Sequence, residues 1–155
     1  MITDFEKLSE EEIETMLKVP LLVSILIAGA DNEIDNTEIK KAVDISKSKQ
    51  LRARKSLLDF YAEVGDNFED KLKIMIQQYP VGSKERNPSI IDELEGVNDI
   101  LPKLDKQFAG EFYESIKDIA RKVAEASGGV LGYMAIGYEE SKLVDLKMIK
   151  DPATY

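Results

Sequence analysis

Cysteine, histidine and tryptophan are all absent from this 155-residue chain. Without cysteine it can form no disulfide, build no thiolate zinc or iron–sulfur centre, and offer no thiol nucleophile. Without histidine it lacks the usual general base and the commonest transition-metal ligand. A bound metal would have to be held by oxygen atoms alone, which favours Ca, Mg or Mn over zinc or copper. Positive charge is also in short supply: 21 lysines and arginines stand against 30 acids, giving a net charge of −9. A surface of that sign repels phosphate backbones, so no nucleic-acid partner is expected. The densest basic stretch, Lys47, Lys49, Arg52, Arg54 and Lys55, reads as a solvated helix face. Long hydrophobic runs are missing too. The most apolar stretch, Val19 to Ala30, is interrupted by Pro20 and Ser24 and falls short of the ~20 residues that span a bilayer. It also lies too far along the chain, behind too many acids, to act as a secretory signal. No membrane span is expected, and the cytoplasm is the expected location.

What remains is the composition of a folded domain. The apolar fraction is 43% and the charged fraction 33%, and a chain of this length can bury a core without covalent staples. Apolar residues recur at helical spacing almost everywhere, and two-residue alternation is nowhere sustained. The expectation is an all-α, single-domain bundle over residues 1–155, with about seven to eight helices and a weak internal pseudo-repeat.

The helix signals are specific. Ser9 and Glu12 make a capping box that opens a helix with Ile13, Met16 and Leu17 on one face. Pro20 suits the first turn of a second helix, where its missing N–H costs nothing. That helix, through Leu22, Leu26 and Ile27, is apolar all round and belongs at the centre of the bundle. Asp35 and Glu38 form the next capping box, with Ile39, Ala42 and Val43 inward. Leu57, Leu58, Tyr61 and Val64 follow as a stripe that Gly65 stops. Asp66 or Asn67 caps a helix carrying Phe68, Leu72, Met75, Ile76 and Tyr79. Pro80 and Gly82 break the chain, and Asn87-Pro88 restarts it as a cap and first-turn proline, followed by Ile90, Ile91, Leu94, Val97 and Leu101. The longest helix is expected from near Asp105 to Ala126, burying Phe108, Phe112, Ile116, Ile119, Ala120 and Val123. Gly128-Gly129 ends it. A last helix from around Glu139 should bury Leu143, Leu146 and Ile149.

One segment carries chemistry. Ala30-Asp31-Asn32-Glu33-Ile34-Asp35-Asn36-Thr37-Glu38 concentrates four carboxylates and two amides in nine positions. Such a turn can gather Asp31, Asp35 and Glu38 around one point as oxygen ligands for a hard cation, with Glu33 in the same loop. It is not an EF-hand: counted from Asp31, the sixth position is Asn36 where glycine is needed, and the twelfth is Ala42 where a bidentate glutamate is needed. The same residues can also serve as helix caps, with Asp35 and Glu38 satisfying the first N–H groups of the next helix.

The run from Pro20-Leu21-Leu22-Val23 through Ile27-Ala28 to Ala30-Asp31-Asn32-Glu33-Ile34-Asp35-x-x-Glu38-Ile39 resembles the signature of the tellurite-resistance protein B (TerB-like) family. Members of that family carry an apolar helix, then a loop of Ala-Asp-Gly-x-Ile-Asp-x-x-Glu type, and usually a second copy near the C-terminus. The resemblance covers residues 16–46 and, more weakly, 116–146. It implies an all-helical fold with internal pseudo-symmetry, a divalent metal at the clustered acids, and a setting in bacterial stress or tellurite response. Two departures stand out. Asn32 replaces glycine, which asparagine's access to left-handed backbone allows. In the second copy Ser127-Gly128-Gly129 stands where Asp31-Asn32-Glu33 does in the first, leaving only Glu139 and Glu140.

The leading expectation is thus a non-catalytic TerB-like module that binds a divalent cation, a partner protein, or both, through Asp31, Glu33, Asp35 and Glu38. The alternative is a metal-free scaffold or interaction bundle whose acids are helix caps and solubility charges. A hydrolase ranks last, because the chain offers no histidine and no glycine-rich phosphate cradle. Gly128, Gly129 and Gly132 are no dinucleotide fingerprint, since no strand precedes them.

Overall fold

The structure, a computed structural model, describes residues 2–29, 34, 36–79, 83–127 and 143–155. Ser9 opens the first helix as its composition demands. Its hydroxyl accepts from the Glu12 N–H at 3.2 Å, and the Glu12 carboxylate accepts from the Ser9 N–H at 2.9 Å. The helix that follows, α1 (Glu10–Ala28), runs unbroken through Pro20, so the two helices expected here are one. Proline in a helix interior forfeits a backbone hydrogen bond and costs about 3 kcal/mol. Every residue from Val19 to Ala28 is buried, however, and packing along that apolar cylinder offsets the loss. The Ser24 hydroxyl donates to the Pro20 carbonyl at 2.8 Å, one turn back.

Around α1 stand α2 (Asn36–Arg52), α3 (Leu58–Gly65), α4 (Phe68–Gln78), α5 (Ser83–Glu95) and α6 (Lys106–Ser127). These six α-helices lie among the described residues, the last helix expected from the sequence begins on residues outside them, and no strand occurs among the described residues. Single 3-10 turns connect them at Lys55–Leu57, Gly96–Asp99 and Leu101–Lys103. Pro88 again lies inside a helix, because α5 begins at Ser83 and not at Asn87. Asn67 does precede α4, but with a left-handed backbone (φ 56°) and no side-chain capping bond. Asp105 caps α6 in the ordinary way, its carboxylate accepting from the N–H groups of Gln107 and Phe108.

α6 is the long amphipathic partner of α1, burying Phe108, Phe112, Ile116, Ile119, Ala120 and Val123. Phe60 meets Phe112 edge-to-face at 5.4 Å, and Phe5 meets Phe108 at 5.7 Å, the geometry that sets a ring's positive edge against its neighbour's negative face. Of the helix expected from around Glu139, residues 139–142 lie outside the described residues; Leu143 is helical and half-buried, and residues 144–150 form turns, with Leu146 at φ 49° and Leu146 and Ile149 buried as expected. The second copy of the motif, residues 136–140 with Glu139 and Glu140, lies outside the described residues. No helix among the described residues is long and apolar enough to cross a membrane.

Candidate functional site

The acidic segment joins the most buried helix to its neighbour. α1 ends at Ala28, with Gly29 closing its last turn through an N–H bond to the Ile25 carbonyl at 2.9 Å. α2 starts at Asn36, directly after Asp35 and where the capping pattern set its start. Of the four candidate ligands, Asp31, Glu33 and Asp35 lie outside the described residues. Glu38 is half-buried in the first turn of α2, a position where a carboxylate complements the helix dipole. Among the described residues no three acidic side chains are grouped so as to hold a metal ion.

The structure adds a residue to the root of this segment. Arg86, on α5, is 3% exposed and donates from Nη2 to the Gly29 carbonyl at 2.6 Å. The last carbonyls of a helix have no partner within it and carry the negative end of the dipole, so a guanidinium there meets a real demand. The approach is close. A Cβ at position 29 would lie 2.3 Å from Arg86 Nη2 and 2.8 Å from Cζ, so any larger residue there would force the guanidinium to shift. A signal for this existed in the sequence. Arg86, Ile90, Leu94 and Val97 share one helical stripe, and the last three are fully buried; a charge on such a stripe announces a buried pairing.

A second tie holds α5 in place. Glu93 accepts from Lys18 on α1 at 3.3 Å and from the hydroxyl of Tyr79 just after α4. Burial first, and then the neighbouring Glu93 carboxylate, push the Tyr79 phenol upward, so it stays a neutral donor throughout the physiological range. The guanidinium at the end of α1 is therefore carried on a helix fixed at both its beginning and its end.

No protein-family model, no curated protein and no solved structure matches the chain.

Proposed function

We propose that the chain is a non-catalytic helical binding module of the TerB-like kind, whose acidic segment takes a divalent cation and presents it, or its own carboxylates, to a partner protein. The observation that carries this reading is the placement of the segment. Its ends are fixed by the terminus of a buried helix and by the first turn of another. Asp31 follows Gly29 by two residues, a Cα reach of at most about 7 Å, and Glu38 stands at the other end. Calcium, magnesium and manganese are the candidate ions, because the segment offers oxygen ligands alone. The stress and tellurite setting follows from the family resemblance alone.

Arg86 favours a second reading, in which no ion is needed. A buried guanidinium at the root of the segment supplies positive charge to the same carboxylates and competes with a cation for them. On that reading the chain is a metal-free interaction bundle with its acids serving as caps.

Thermal denaturation with each of the three ions separates the two. The cation reading predicts a rise in wild-type Tm by mass action, modest in size because the loop lacks a full calcium ligand set. Asp31→Asn should abolish that rise and leave the ion-free protein almost unchanged. Asp35→Ala should abolish it and also cost about 1 kcal/mol as a lost cap. A wild type that ignores all three ions, with only Asp35→Ala destabilised, establishes the metal-free bundle.

A further inference from the structure

The basic stretch at the end of α2 does not stand alone. Lys49 pairs with Asp118 of α6 at 2.8 Å, and Arg54 lies 3.8 Å from Glu111, so the two segments run in opposite directions. An open groove of about 480 Å³ lies between them, within the usual size range of a binding cleft. Lys49, Arg52, Arg54, Lys117 and Arg121 line it together with Glu111, Glu114, Asp118 and Asp151, and at its far end a second hollow lined by Arg54, Glu111, Glu114 and Asp151 adjoins it.

Two of these acids are already engaged. Asp118 accepts from both Lys49 and Lys122, the latter at 3.1 Å. Glu111 accepts from Ser56 and from Gln107. Arg52, Lys117 and Arg121 make no ion pair among the described residues, and Lys117 rests over the Tyr113 ring at 5.2 Å from its centroid. Three cations held on two packed helices, in a protein of net charge −9, form a local field opposite to that of the whole molecule. Apolar surface accompanies them. Ala53, half-buried, lines the groove beside them.

We propose that this groove docks an acidic, partly apolar segment of a partner protein, with carboxylates meeting Arg52, Lys117 and Arg121 and an apolar side chain resting against Ala53. The far end decides the class of partner. A nucleic acid continuing along the groove would carry phosphates onto Glu114 and Asp151, and the net charge would oppose it throughout. A peptide can change sign along its length and place a lysine or arginine there.

The test is selection of a random-peptide display library on the wild-type chain in the presence of a chelator, followed by fluorescence anisotropy of the selected peptides. The chelator makes the outcome independent of any cation at the acidic segment. Selected sequences should combine aspartate or glutamate with apolar residues and should bind less tightly as salt rises. Arg52→Glu combined with Arg121→Glu should weaken binding about tenfold or more, whereas Lys73→Glu on α4 should leave it unchanged. Both arginines are exposed, and Arg52→Gln with Arg121→Gln provides the milder pair if charge reversal unfolds the chain. Failure to select any peptide, selection of basic or uncharged ones, or undiminished binding by the double variants overturns the proposal. So does single-stranded homopolymer RNA binding as tightly as the selected peptides.

Discussion

Gly29 sits directly beneath a buried guanidinium. Its missing Cβ leaves the space through which Arg86 reaches the end of α1, and the contact is made at 2.6 Å. Gly29→Ala should therefore cost more than the few tenths of a kcal/mol that an accommodating site would show. About 2 kcal/mol is expected, the scale of a charge-assisted hydrogen bond weakened in a buried setting. Urea denaturation of wild type and variant checks this, and equal midpoints would show that Arg86 moves aside freely. The acids of the segment were visible in the sequence because four carboxylates in nine positions are conspicuous. Arg86 was hidden because Asn87-Pro88 looks like a helix start, which cuts it off from the apolar stripe to which it belongs. Its pairing spans 57 positions of sequence, and local pattern carries no information about such a partner.

The elements themselves were largely legible, and the errors share one cause. Pro20 and Pro88 both carry the signature of a first-turn residue, since neither has an N–H to lose there. In both cases the helix continues N-terminal to the proline; at Pro20 burial of the residues around it outweighs one missing bond, and before Pro88 the turn carries Arg86 into its buried contact with the Gly29 carbonyl. Propensity is a local quantity and burial is not. The tie between α2 and α6 supplies a test at this scale. Partial burial raises the pKa of Asp118, but hydrogen bonds from Lys49 and Lys122 outweigh that effect and hold the carboxyl below its ordinary value of 3.8. A carboxylate depressed in the folded state contributes stability above the unfolded pKa and loses it as pH falls through the folded one. Wild type should thus lose stability on acidification below pH about 4, and Asp118→Asn should lose less over the same interval. At neutral pH the variant should be weaker by about 1 kcal/mol or less, since the site is partly solvated and screened. Urea titrations at neutral and acidic pH read both numbers. Parallel pH profiles would mean the ion pair contributes nothing to holding the two helices.

For the molecule as a whole, composition and helical periodicity were enough to give the fold class, because each apolar stripe needs a facing stripe and, among the described residues, five helices around α1 satisfy that requirement. Periodicity does not say how helices are juxtaposed, and for that reason the groove between α2 and α6 could not be read from the chain. Lys49 and Arg52 resembled a solvated face until α6 was set opposite them with Lys117 and Arg121. The pseudo-repeat rests on residues 136–140, outside the described portion, and stays an expectation from sequence.

The claim that the acidic segment holds a divalent cation is tested most directly by adding substoichiometric Mn(II) to the isotope-labelled protein. Paramagnetic broadening then maps the amide resonances near the ion. The cation reading predicts selective loss of signal at Gly29, Ile34 and Glu38, reversed by excess calcium or magnesium and absent in Asp31→Asn. It also predicts that the acidic first turn of α1, Glu10 to Glu12, is spared. Uniform broadening over all exposed acids, or loss centred on α1 with residues 29–38 untouched, would contradict it.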